Sequence, residues 1–338
     1  MSFKAFEPDD FVVSVDSITA GIWTGETASL FTFFTSSTQA ASSAGNYYLN
    51  AYNTAVTNSI QFAVTYGNLY ASGSELYNPA VDGYSYSGTI WGQYQILVLG
   101  DENANFSWGG ITGSDFWAIS VERDRYKEAL FPGSLSLTLR TGSTNLTITD
   151  DSQVASSQIF CDAGRVFQLV SGSAGVVYSG SGTDGINGYS PSSGSYGWLL
   201  PDIGTILLNP LAISQSINLV PTRTSNTNGL NPFRLFTAIS ASGQNGSPFT
   251  LNSQENIASD YVFVRPRSSE FNYSENPSFI SGSTGEVLYS SFINNPQVYI
   301  TTVGLYNDAS ELLAVAKLSR PLLKDFTKEA LVRVKLDF

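Results

Sequence analysis

Alternation of apolar and polar side chains is the dominant signal along this chain. In SLSLTLRTGSTNLTITDD, Leu135, Leu137 and Leu139 alternate with Ser, Thr and Arg140; a Gly-containing turn follows, and Leu146 and Ile148 resume the period. A period of two puts such leucines on one face, so the segment predicts a half-buried hairpin. The closing LVRVKLDF alternates more strictly, with Val332, Val334, Leu336 and Phe338 on one side and Arg333, Lys335 and Asp337 on the other. It predicts a terminal strand with a buried last aromatic, not a loose tail. The stretch YITTVGLYNDASELLAVAKLSRP (Tyr299 to Pro321) is different. Ile300, Val303, Leu305 and Tyr306, then Leu312, Leu313, Val315 and Leu318, fall on both faces. Strands of that kind are covered on both faces, and Asn307 to Ser310 has the chemistry of a short hairpin turn. The stem of Lys317 is expected to pack among Leu313 and Val315, with its ammonium on a carboxylate or backbone carbonyls.

Helical signals are few. VERDRYKEALFPG (121–133) carries a stripe of Tyr126, Ala129 and Leu130 stopped by Pro132 and Gly133, and predicts a helix. NPFRLFTAIS (Asn231 to Ser240) predicts another, with Pro232 suited to its first turn. GETASLFTFF and NYYLNAYNTA fit either state. The Gly- and Ser-rich run from Ser171 to Ser195 predicts one long insertion or loop. Basic residues first appear in number after Asp115, which sets the expected boundary: an acidic N-terminal docking region over 1–114 and a β-rich structural domain over 115–338. The class predicted is mainly β, antiparallel and sandwich-like, with a few short helices.

Composition removes most enzyme classes. The 338 residues suffice for about two domains. A hydrophobic share of 42% with only 13% charged residues supplies a core and argues against global disorder. There is no histidine, which excludes Ser-His-Asp and Cys-His catalysis and imidazole-based zinc sites. The single cysteine, Cys161, can form neither an internal disulfide nor a CxxC site, and is expected as a small buried hydrophobe. Folding in a reducing cytoplasm fits that usage. MSFKAFEPDD has no apolar run of signal-peptide length, and nothing downstream approaches about 20 apolar residues, so no membrane span is expected. A formal charge of −12 argues against nucleic acid as a partner.

The charge is uneven. From Ala5 to Glu122 there is no Lys or Arg against eleven Asp and Glu, whereas Lys317 to Phe338 holds six basic residues against three acidic. An acidic front and a basic tail can meet within one fold or between subunits. Arg265 and Arg267, on a strand face with Tyr261 and Phe263, suit bidentate pairs with carboxylates of a neighbour or equally an internal salt bridge. With Lys317, Arg320, Arg333 and Lys335 they are the candidate interface residues.

Other motifs carry less. Gly180 to Gly185 matches GxGxxG, but no helix can follow it, so a loop is expected rather than a dinucleotide site. Asp101 to Asn105 has the oxygen spacing of a calcium loop, but Phe106 and Thr112 stand where Gly and Glu are required. Asp150-Asp151 fits an acidic turn after a strand. Glu270, Glu275 and Glu286, near Tyr273 and Phe279, are the carboxylates that could cleave a glycoside without histidine. Trp91, Trp108 and Trp198 near glycines are expected as core or interface anchors, with sugar-stacking platforms as the alternative. No cofactor, metal or catalytic residue is expected.

The segments EFNYSENPSF (270–279), YITTVGLYND (299–308), ELLAVAKLSRP (311–321) and LVRVKLDF (331–338) together resemble a pattern in virion structural proteins of tailed bacteriophages, above all contractile-tailed phages of marine cyanobacteria. DFWAISVERDRYKEALFPGSLSLTL (115–139) and DAGRVFQLV (162–170) look similar, as do the opening FEPDDFVVSVDSITAGIW and IQFAVTYGNLYASGS. The resemblance implies a non-enzymatic part of a tail, baseplate or neck. Such a part would assemble in the host cytoplasm, reside in the virion, contact other tail, baseplate or neck proteins, and form homo-oligomers. It transfers no catalytic residue. A receptor- or glycan-binding module displayed on the virion is the alternative.

Overall fold

A computed structural model describes residues 3–30, 33–35, 47–53, 59–73, 86–155, 158–178, 188–190, 192–223, 229–243 and 247–337, with backbone alone at 33–35. The chain divides into two compact units. Residues 18–255 form one; residues 1–17 with 256–338 form the other.

The larger unit is built on one antiparallel sheet. Its strands run, in spatial order, Phe33–Thr35, Tyr48–Asn53, Ile60–Asn68, Asp115–Val121, Thr205–Leu208, Gly197–Leu200, Gly164–Ser173, Thr144–Asp150, Ser136–Thr141, Phe249–Thr250 and Ser29–Leu30. Ile159–Cys161 and Val176–Val177 pair beside Gly164–Ser173. The two end strands are only two residues apart in sequence, a reach of about 11 Å at most. The sheet therefore curls until its ends approach. Phe62, on the third strand, lies 5.5 Å ring to ring from Phe249 on the tenth, and Trp23 touches both at 6.1 and 4.8 Å.

Alternation decides which side each residue takes. On Asp115–Val121, Trp117, Ile119 and Val121 enter the main core, while Phe116 and Ala118 enter a second cluster on the other face. Three helices complete these layers. Ile90 and Trp91 of α1 (Ser87–Tyr94) join the second cluster. Ile213 and Ile217 of α2 (Pro210–Ile217), with Leu235 and Ile239 of α3 (Asn231–Ser242), join the first. Opposite walls thus share a core, and the fold is mainly β, antiparallel and sandwich-like with few short helices.

The predicted hairpin is present, with Leu137 opposite Ile148 and Leu139 opposite Leu146. Its two-residue turn places Gly142 at φ +60°, a backbone state open to glycine without a Cβ clash. The helix predicted from Asn231 is α3, with Pro232 in its first turn.

The helix predicted over 121–133 does not form. Only Arg123–Arg125 makes a single 3₁₀ turn, and Ala129–Leu130 is extended and paired with Gln254 and Ser253. The Arg123 guanidinium donates to the carbonyls of Tyr126 and Lys127, holding the chain in another conformation. The two undecided segments contain strands, Ser29–Leu30 and Phe33–Thr35 in one and Tyr48–Asn53 in the other. The insertion expected over 171–195 opens inside strand Gly164–Ser173, and Val176–Val177 folds back on it. The GxGxxG segment lies outside the described residues.

The boundary expected near Asp115 is replaced. Asp115 begins a strand bonded to Ile60–Asn68, so segments on both sides of the expected boundary share one sheet. Charge marks surface, whereas strand pairing joins segments distant in sequence.

In the smaller unit, strand Asn252–Val264 lies between Phe11–Gly21 and Val332–Asp337. Val262 faces Val334 and Val264 faces Val332. The predicted hairpin is Val298–Tyr306 with Leu312–Lys324. Its turn is closed by Ser310 N–H donating to Asn307 O at 2.9 Å and Glu311 N–H donating to Asn307 Oδ1 at 2.8 Å. Val262, Leu305, Val332 and Val334 form a small core, against which Val303, Ala314, Ala316 and Leu318 pack. The other face is bare: Leu313 is 68% exposed and Val315 58%. The expectation of cover on both faces is not met among the described residues, where the unit supplies one packing layer for the hairpin. A short α4 (Ser290–Asn294) precedes it.

Lys324 ends the hairpin and is fully buried. Its ammonium donates to Ser268 O at 3.0 Å, Asn272 Oδ1 at 2.8 Å and Asp325 O at 3.0 Å. Lys324→Met would strand two buried acceptors and a half-buried one and lower stability by roughly 2–4 kcal/mol in urea unfolding. Lys317→Met, at an exposed position, should change it by less than about 0.5 kcal/mol.

Candidate assembly surface

The six candidate interface cations separate into two groups. Arg265 Nε pairs with the buried Asp10 at 3.2 Å and its Nη2 donates to Asp9 O at 3.3 Å. Arg267 approaches Glu7 at 3.7 Å. Lys335 bonds Asp16 at 3.3 Å and Asp337 at 3.0 Å, while the Arg333 guanidinium and Lys335 ammonium lie 5.4 and 5.9 Å from the Tyr261 ring. Lys4 adds a bond to Glu270 at 2.8 Å. Part of the acidic front and part of the basic tail therefore meet inside the smaller unit, which holds them against each other.

Lys317 and Arg320 form the second group. Both are exposed on the hairpin, and among the described residues neither has an ion pair or hydrogen bond. The carboxylate or carbonyl contact expected for Lys317 is not made. The strand register slips between the pairs Ile300–Leu322 and Thr302–Lys317, leaving Leu318 to Pro321 as a bulge that carries Arg320 outward. Asp308 and Glu311 at the tip lack a cation among the described residues, although Glu311 accepts a bond from Asn307 Nδ2 at 2.8 Å.

The surrounding surface is strongly apolar. Among its described residues the smaller unit exposes seventeen large hydrophobic side chains and buries five hydrophobic ones. Tyr299, Leu312, Leu313 and Val315 on the hairpin are exposed, as are Phe11, Val13 and Val15 on the first strand.

Glu270 is held below its usual range by Lys4 and by the Arg267 N–H, the opposite of the raised pKa a glycosidic proton donor requires. Tyr273 and Phe279, considered for sugar stacking, pack edge to face on each other at 5.6 Å. Trp91, Trp108 and Trp198 are at most 9% exposed within the second cluster, so their faces are closed to a sugar. Cys161 is half-buried, and desolvation pushes its thiol up. Asp101 accepts from Asn103 N–H at 2.8 Å to close a turn. Among the described residues no group of three or more Asp, Glu or Cys side chains gathers as a metal site. No helix among them is long and apolar enough to cross a membrane.

Two residues stand out that sequence reasoning did not single out in these roles. Asp115 and Arg223 line a cleft of about 220 Å³ and bond each other at 2.8 Å, and the Tyr66 hydroxyl donates to the buried Asp115 at 2.9 Å. Burial raises the Asp115 carboxyl while Arg223 opposes the shift. With the partners 108 positions apart, no local pattern announces the pair. Its groups satisfy each other, and the cleft is smaller than the roughly 300 Å³ at which ligand pockets begin.

Asp150 and Asp151 do close an acidic turn after a strand. Asp150 accepts the Gly133 N–H at 2.8 Å and Asp151 that of Gln168 at 2.9 Å. Burial, aided by the Asp150 charge, pushes Asp151 up to about 6. Its folded pKa lies above the ordinary carboxylate value, so the folded chain keeps a proton the unfolded chain releases. Stability from this group falls as pH rises from about 4 through about 6. Asp151→Asn keeps the acceptor oxygen and removes the charge. Melting curves should show it raising Tm at pH 7.5 but not at pH 4.

Compared with protein-family models, curated proteins and solved structures, the chain gives no match.

Proposed function

We propose that this chain is a non-enzymatic structural component of a tailed-phage virion, built into the tail, baseplate or neck through protein–protein contacts. The observation that carries the reading is the smaller unit's balance of apolar surface: seventeen large hydrophobic side chains out, five hydrophobic ones in. A unit of that kind gains stability when neighbours cover it, as in obligate assemblies, whose interfaces resemble a core cut in half. The phage-like segments at 270–279, 299–308, 311–321 and 331–338 all belong to this unit, so the resemblance and the exposed surface coincide in sequence.

The chemistry fits the same role. Without histidine, and with Glu270 held ionised by Lys4, the candidate acids suit contacts better than proton transfer. Arg265, Arg267, Arg333 and Lys335 hold the smaller unit together, while Lys317 and Arg320 are left for a neighbour.

Virions of the phage that carries this sequence, separated into heads and tails and analysed by mass spectrometry, should contain the chain at fixed stoichiometry in the tail or neck fraction. Its absence from every virion fraction would overturn the reading.

A further inference from the structure

We propose that the outer face of the hairpin formed by Val298–Tyr306 and Leu312–Lys324 is a contact between two copies of this chain, seated face to face about a two-fold axis. This rests on the assembly role above and names one partner of that surface.

The order of charges along one strand points to this pairing. Val315 and Lys317 alternate with the inward Leu318, Ala316 and Ala314, and Leu313, left unpaired where the register slips between Leu305 and Tyr306, is exposed beside Leu312. Glu311 stands immediately before the strand at the tip. The exposed sequence is therefore acidic, apolar, apolar, basic. Asp308 extends the acidic end and Arg320 the basic one. At about 3.3 Å per residue, Glu311 and Lys317 lie roughly 20 Å apart.

Such an order is its own complement when reversed. With two hairpins antiparallel and an axis passing near Ala314, Glu311 of one copy meets Lys317 of the second. Leu313 meets Val315, and the same contacts recur on the other side of the axis. This is the isologous geometry of two-fold dimers, in which one patch pairs with itself. It covers two of the most exposed aliphatic side chains in the unit at its centre and places charges at its rim. It also gives Lys317 and Glu311 opposite charges that neither finds among the described residues of its own chain. An unrelated partner would have to carry the same spacing independently, whereas a second copy carries it by construction. Strand-to-strand addition along the same edge is disfavoured, because the bulge with Arg320 and Pro321 interrupts it.

The test is self-association of the full chain by sedimentation velocity at low and high salt. The protein should dimerise, more weakly at high salt. Lys317→Glu and Glu311→Lys should each raise the dimer Kd by at least about tenfold, since each sets like charges together at both ends. Mixed in equal amounts, the two variants should recover dimerisation, because one then offers only lysines and the other only glutamates. Val315→Glu, which touches neither the turn nor the charges, should also abolish the dimer and decides the matter if Glu311→Lys disturbs the turn. A chain monomeric up to its solubility limit, variants that dimerise like the parent, or no recovery on mixing would overturn the proposal. A monomeric chain found in virion tails would discard this contact and leave the virion role standing; a dimer absent from virions would discard the role alone.

Discussion

The contact among Trp23, Phe62 and Phe249 closes the larger unit. These rings come from near the two ends of the sheet order, and their packing keeps the first and last strands within reach of the two residues that join them. Once the sheet is curled, every inward position along it faces another inward position across a shared core. Leu137, Leu139, Ile148, Leu199 and Ile206 then need only be apolar and alternate, which the chain provides. The outward side is handled separately: α1 and the aromatic segment around Phe106 and Trp108 cover Phe116, Ala118, Trp198 and Leu207.

The smaller unit works by another balance. Its core is four residues with a partly buried surround, too little apolar burial to order a unit of this length by itself. Ion pairs and a buried lysine take up part of that task. Asp10 is drawn under Arg265, Lys4 reaches Glu270, and Lys335 bridges two acids, so the first residues of the chain are fastened to its last third. Surface pairs contribute little each. Here they set where the N-terminal segment lies. Apolar surface that most units would hide is left outside, and that imbalance gives the assembly reading its physical content.

Much of the fold was legible in the sequence, in particular places. The Leu135 to Ile148 hairpin, the α3 helix and the alternation of Val332 and Val334 follow from periodicity and turn chemistry, which are local. The segment from Val121 to Gly133 has a spacing that fits a helix equally well, yet it forms only one 3₁₀ turn and a short strand. Arg123 and the pairing of Ala129–Leu130 with residues over a hundred positions away decide it instead. Asp115 with Arg223, and Lys324 with Ser268 and Asn272, were invisible for the same reason.

By itself the sequence determined the class of fold, the absence of histidine chemistry and the presence of a long hairpin with apolar residues on both faces. Those follow from composition and from a period of two, properties each short segment carries alone. Only the tertiary structure decided that one hairpin face is buried and the other bare. It also decided that Arg265, Arg267 and Lys335 pair with acids of their own chain while, among the described residues, Lys317 and Arg320 do not. The reason is distance: which charge finds a partner, and which apolar face finds a cover, depends on segments brought together across more than two hundred residues.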